Sequence, residues 1–108
     1  MIKLSEKDFL AQVVDYARLK GWMVAHFYDS RRSIGAGFPD LVLCKEWFKW
    51  EDIANYGSAT LCFLELKREK GKPTQAQQEW LDILSKVPSV IAKCVHPSEW
   101  QEIEDILK

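Results

Sequence analysis

At 108 residues the chain has the length of one ordinary domain, enough for a single core and too little for two. Hydrophobic residues at 47% and charged residues at 29% suit a soluble globular fold, and a net charge of −1 excludes a protein that coats nucleic acid by bulk charge, while leaving room for a local patch. No apolar run approaches the roughly 18 residues of a membrane span, and the opening MIKLSEKDF carries charges where a signal peptide is apolar, so the reading is a cytoplasmic protein with no membrane partner.

In chain order, Ser5 is placed to cap a helix, with Asp8 three residues on. Phe9, Val13, Tyr16, Ala17 and Lys20 follow a helical period, and Gly21 supplies the stop. Trp22–Tyr28 reads as a strand, followed by a polar, Gly-containing loop from Asp29 to Gly37. Phe38–Cys44 reads as a second strand, with Pro39 near its start, where a missing donor is tolerated. The Lys45–Ser58 segment fits either a short helix or an insertion packed over the sheet. Its Trp47 and Trp50 have no evident place to be buried together.

Ala59–Lys67 reads as a third strand, and Arg68–Pro73 as a polar turn. Thr74 then caps a helix with Trp80, Leu81, Leu84 and Val87 at helical spacing. Val90–Val95 reads as a last strand, and a final helix starts near Ser98, with Trp100, Ile103, Ile106 and Leu107 on one side. The order α-β-β-β-α-β-α predicts one α/β domain over 1–108, a mixed sheet flanked by helices. Cys44, Cys62 and Cys94 are odd in number and widely spaced with no C-x-x-C pair, which argues for core thiols over a disulfide framework or a zinc knuckle.

The stretch F63-L64-E65-L66-K67 carries the chemistry. In a strand, residues i and i+2 share a face about 7 Å apart, so Phe63, Glu65 and Lys67 face one way and Leu64 and Leu66 the other. Such a face is a wet edge or the wall of a site. Asp40 and Glu65, on strands that can lie side by side, suit a magnesium ion, which takes one or two carboxylates and keeps waters for the rest of its shell. Lys67 on the same face could then hold a water or steady the charge on a phosphate.

The motifs P39-D40 and E65-L66-K67, with H26-F27-Y28-D29-S30-R31-R32-S33 upstream and Gln77 before W80-L81 downstream, resemble the PD-(D/E)XK nuclease superfamily, and within it the VRR-NUC (virus-type replication-repair nuclease) branch. The resemblance runs nearly end to end. It implies a restriction-endonuclease-like core and Mg²⁺- or Mn²⁺-dependent hydrolysis of DNA phosphodiester bonds, on branched or structured DNA. Stand-alone members of this size look like nucleases of phages or mobile elements and pair as homodimers.

The resemblance assigns metal binding to Asp40, Glu65 and an acidic residue of the first helix, here Glu6, and catalysis to Asp40, Glu65, Lys67 and Gln77. Arg31, Arg32, Arg68, Lys70 and Lys72 are candidates for contact with phosphate, and His26 for a supporting role. Each has a plainer reading. Glu6 suits the dipole of a helix's first turn, Asp40 suits a turn, E-x-K is common on wet strands, Gln77 completes a capping box with Thr74, His26 can belong to a core or rim, and Arg31 and Arg32 to a solvated loop. A protein of the same fold that binds nucleic acid without cutting it is the alternative function.

Overall fold

A computed structural model describes residues 4–27, 35–47 and 58–108. Helix α1 (Glu6–Leu19) begins as its sequence dictates, with the Ser5 hydroxyl accepting the Asp8 N–H at 3.1 Å. It ends in a Schellman arrangement: the Gly21 N–H donates to the Arg18 carbonyl and the Trp22 N–H to the Ala17 carbonyl, with Gly21 at φ +91°. That turn drops Trp22 into the core, where its indole N–H donates to the Leu107 carbonyl at 3.2 Å. Strand β1 (Met23–His26) is therefore shorter than the Trp22–Tyr28 expectation, and Tyr28 lies outside the described residues.

Strands β2 (Leu41–Trp47) and β3 (Ser58–Leu66) follow, then α2 (Gln75–Leu84), β4 (Val90–Val95), a 3₁₀ turn (Pro97–Glu99) and α3 (Trp100–Ile106). The predicted order of elements holds. The sheet order is β1-β2-β3-β4, antiparallel across the first three strands and parallel between β3 and β4, with α2 as the crossover. Val87, predicted within α2, lies beyond its end and is exposed.

The second strand needs the largest correction. It starts after Pro39 and Asp40 and runs on through Lys45, Glu46 and Trp47, residues read above as the start of a short helix or an insertion. Trp47 pairs with Ser58, donates its indole N–H to Thr60 Oγ1 at 2.9 Å and meets Trp22 edge to face. Lys45 caps both rings, its ammonium 4.2 Å from the Trp47 centroid. Trp47 thus has a place at the margin of the core. Trp50 and the rest of that segment lie outside the described residues.

Alternation along the strands divides two layers. Leu41, Leu43, Cys62, Leu64, Leu66 and Val95 pack with Phe9, Val13 and Ala17 of α1 and with Ile103 and Leu107. On the other face Phe38 sits at the centre of edge-to-face contacts with Phe27, Phe63 and Trp80, which brings α2 over β3. The turn before β2 meets α2 closely: the Trp80 indole donates to the Ala36 carbonyl, and a Cβ on Gly37 would lie 2.7 Å from the Ala76 backbone. Among the described residues no helix is long and apolar enough to cross a membrane.

Candidate active site

The register places the site. Leu41 pairs with Leu64, so one step further along the antiparallel ladder Asp40 stands opposite Glu65. The two carboxylates brace the strand ends reciprocally: Glu65 Oε2 accepts the Asp40 N–H at 3.2 Å, and Asp40 Oδ2 accepts the Leu66 N–H at 2.9 Å. The Phe27 N–H donates to the Asp40 carbonyl, tying β1 to the same point.

Glu65 is 1% exposed, the one charged residue buried among those described. The expected common face of Phe63 and Glu65 is therefore an interior wall and not a wet edge. Burial, and next the Asp40 charge beside it, push the Glu65 carboxyl up to about 7; the Lys67 ammonium, 3.6 Å from Glu65 Oε1, pulls the other way. Two acids held together under a low dielectric resist joint ionisation, and one cation offsets that only in part. The pair draws positive charge.

Lys67 also joins this pair to open space. Its backbone N–H donates to the Val95 carbonyl at 3.1 Å, fixing it just past β3, and its side chain lines a cavity of about 650 Å³. Leu4, Ser5 and Glu6 form one wall of that cavity, and the loop Arg68–Lys72 forms another. Arg68, Lys70 and Lys72 are exposed there, so the local positive charge absent from the overall composition gathers where the acid pair meets solvent.

The remaining candidates divide. Glu6 is exposed in the first turn of α1 and lines the cavity; among the described residues no three acidic, His or Cys side chains are gathered as they stand, Glu6 with Asp40 and Glu65 included. Gln77 forms the capping box with Thr74, its Oε1 accepting the Thr74 N–H at 2.8 Å, which leaves its amide nitrogen to offer. His26 is half-buried, with Leu41 as its Cα partner, and strand alternation sets it on the α1 face, away from that of Glu65. Arg31 and Arg32 lie outside the described residues.

Two further groups lie near the site: Cys94, read from the sequence as a core thiol but only half-buried, and His96, which has no counterpart in the sequence reading. Cys94 is the parallel partner of Glu65; burial, and then the Glu65 charge, push its thiol up to about 11, so it stays neutral beside the pair. His96, two residues on, contacts the basic loop through Gly71. A His-Pro-Ser-Glu run after a strand shows a capped turn, but a loop 25 residues earlier as its partner follows only from the parallel crossover.

The donor set suits a hard divalent cation: two adjacent carboxylates, one buried, are the number magnesium ordinarily takes from a protein. No protein-family model matches this chain, and no curated protein or solved structure matches it either.

Proposed function

We propose that this protein is a divalent-metal-dependent nuclease that hydrolyses phosphodiester bonds of DNA. The observation that carries the reading is the Asp40–Glu65 pair, its Glu65 member buried, with Lys67 at its edge and a basic loop beyond. A carboxyl such as that of Glu65, whose burial beside a second acid opposes its ionisation, is costly to keep in a core unless a cation is to be met there.

Asp40 and Glu65 would hold Mg²⁺ or Mn²⁺, which supplies Lewis-acid charge to a phosphate and makes water a stronger acid. Lys67, held by Val95 and facing Glu65, orients the attacking water or balances charge on the phosphate; as an ammonium it donates and cannot ligate. Arg68, Lys70 and Lys72 position the phosphate backbone and carry no sequence information. The three-strand meander with a helical crossover to a parallel fourth strand supports a restriction-endonuclease-like core for this chemistry. Branched or structured DNA and a homodimer belong to the same proposal.

A cleavage assay on labelled junction, flap, nicked and linear DNAs, with and without Mg²⁺ or Mn²⁺, tests it. Metal-dependent cutting that disappears in Glu65→Gln supports the reading. Binding without cutting under every metal condition overturns it in favour of a nucleic-acid-binding module.

A further inference from the structure

His96 follows β4 directly and caps the 3₁₀ turn that leads into α3. Its ring lies between two acceptors. Nδ1 is 2.6 Å from Glu99 Oε1, and Nε2 is 2.7 Å from the carbonyl oxygen of Gly71. The same Glu99 oxygen accepts the His96 backbone N–H at 2.8 Å, so it stands as an acceptor, and a carbonyl oxygen can be nothing else. A neutral imidazole has a single N–H and satisfies one of these partners. Only the imidazolium donates to both.

Gly71 belongs to the loop that carries Arg68, Lys70 and Lys72 along the cavity. That loop is tight: the Gly71 N–H donates to the Arg68 carbonyl at 2.8 Å, and a Cβ on Gly71 would come within 3.2 Å of both that carbonyl oxygen and Lys67 Cβ. A second tie runs from the Glu69 carboxylate to the Ser98 N–H. Two fastenings thus join the basic loop to the 3₁₀ turn ahead of α3, and one of them depends on a proton.

The charged groups bearing on the ring are Glu99, from the 3₁₀ turn, and Glu69, from the loop; both are acidic. Burial lowers the affinity of His96 for its proton, but the Gly71 carbonyl and the Glu99 carboxylate raise it, Glu69 adds to them, and the balance lies above the ordinary imidazole value.

We propose that His96, donating from both ring nitrogens as an imidazolium, is the positioning residue that fastens the Arg68–Lys72 loop beside the acid pair and couples that loop's hold on a DNA phosphate backbone to its own protonation. The identity of the ligand rests on the nuclease reading; the fastening does not. Since the folded state binds this proton more tightly than the unfolded state, the fastening is complete below the ordinary value of about 6.5 and is lost as pH rises through the higher folded value.

Long-range ¹H–¹⁵N spectra of the uniformly ¹⁵N-labelled protein, without DNA, test the fastening. The expected result is a His96 midpoint above about 6.5, with the Gly71 amide following the same titration. A midpoint at or below that value, or a Gly71 amide that ignores it, overturns the proposal. Affinity for a fluorescent linear duplex in EDTA, between about pH 6 and about pH 8.5, tests the coupling. Wild-type affinity should fall several-fold more than that of His96→Asn, which keeps a side chain able to cap the turn.

Glu99→Gln provides a second check that does not alter the histidine. It removes an acid, so bulk electrostatics alone would strengthen binding and leave the pH of the fall unchanged. The proposal instead requires that fall to move to lower pH, and an unmoved fall refutes the coupling. Absence of duplex binding at every pH defeats the DNA reading, and with it the coupling, while the spectra still judge the fastening.

Discussion

Asp40 and Glu65 each accept the backbone hydrogen bond that holds the other's strand end: Glu65 takes the Asp40 N–H, and Asp40 takes the N–H of Leu66, next to Glu65. The pair is therefore part of the sheet's closure as well as a site. Its geometry is fixed by the ladder before any ligand arrives, which is the preorganisation that charge stabilisation needs. Every buried side-chain polar atom among the described residues has a partner, so the acid pair is a satisfied feature of the fold.

The burial of Glu65 makes stability depend on pH. Its carboxyl titrates near 7 in the folded protein against an ordinary 4.5, so between those values the native state holds a proton that the unfolded chain has released. Without divalent cations, stability should fall as pH rises from about 4.5 to about 7, by on the order of 3 kcal/mol from this group. Urea denaturation across that range should give a flatter curve for Glu65→Gln. Mg²⁺ or Mn²⁺ near pH 7.5 should restore stability to the wild type and leave Asp40→Asn and Glu65→Gln unmoved; equal restoration in the variants would remove the metal assignment.

Gly37 tests the packing that carries Asp40. Its φ of +87° suits glycine, and a Cβ there would press into the Ala76 backbone at 2.7 Å. Gly37→Ala should lower stability by roughly 1–3 kcal/mol through strain and a displaced α2. Denaturation at one pH is the measurement, and a neutral result would mean that the turn and helix can part at little cost.

The acid pair was legible because it depends on two local rules, alternation along a strand and antiparallel neighbours, and both hold for Phe63, Glu65 and Leu64. The caps of α1 and α2 were legible for the same reason, since Ser5 with Asp8 and Thr74 with Gln77 are contacts three residues apart. Trp47 was not: an aromatic run reads alike as helix, insertion or strand, and only pairing with Ser58 and the Thr60 hydroxyl decides it. The start of β2 moved because Pro39 and Asp40 are taken up by the turn and the brace to β3. His96 escaped notice because its partner Gly71 lies on the far side of a helix in sequence.

The proposed homodimer needs an exposed apolar surface. Trp47 is inside the sheet margin, but Leu19 and Met23, at the end of α1 and on the edge strand β1, are 80% and 78% exposed. Apolar side chains flanking an unpaired strand edge favour association. Sedimentation at micromolar concentration without DNA should give about twice the 12.6 kDa chain mass, and Met23→Lys should shift the protein toward monomer. A wild type that sediments as a monomer rules the dimer out.

Lys67 separates metal binding from turnover. Its ammonium faces Glu65 Oε1 but donates only, so Lys67→Ala should retain a divalent cation measured by calorimetry while cleavage falls by roughly 10²–10⁴-fold. Metal affinity should even rise, because the variant takes from the acid pair the ammonium that now offsets its charge. Lys67→Arg keeps the charge but replaces a compact ammonium with a planar fork, and should recover metal affinity near that of the wild type with only part of the rate. Since the Lys67 backbone remains bound to Val95 in either variant, β3 and the loop should keep their places, and unchanged amide spectra beyond the immediate neighbours would establish this. Cleavage by Lys67→Ala at near the wild-type rate would show that the water and the phosphate are served by another group, and Arg68, the next cation along the chain, would be the first to replace.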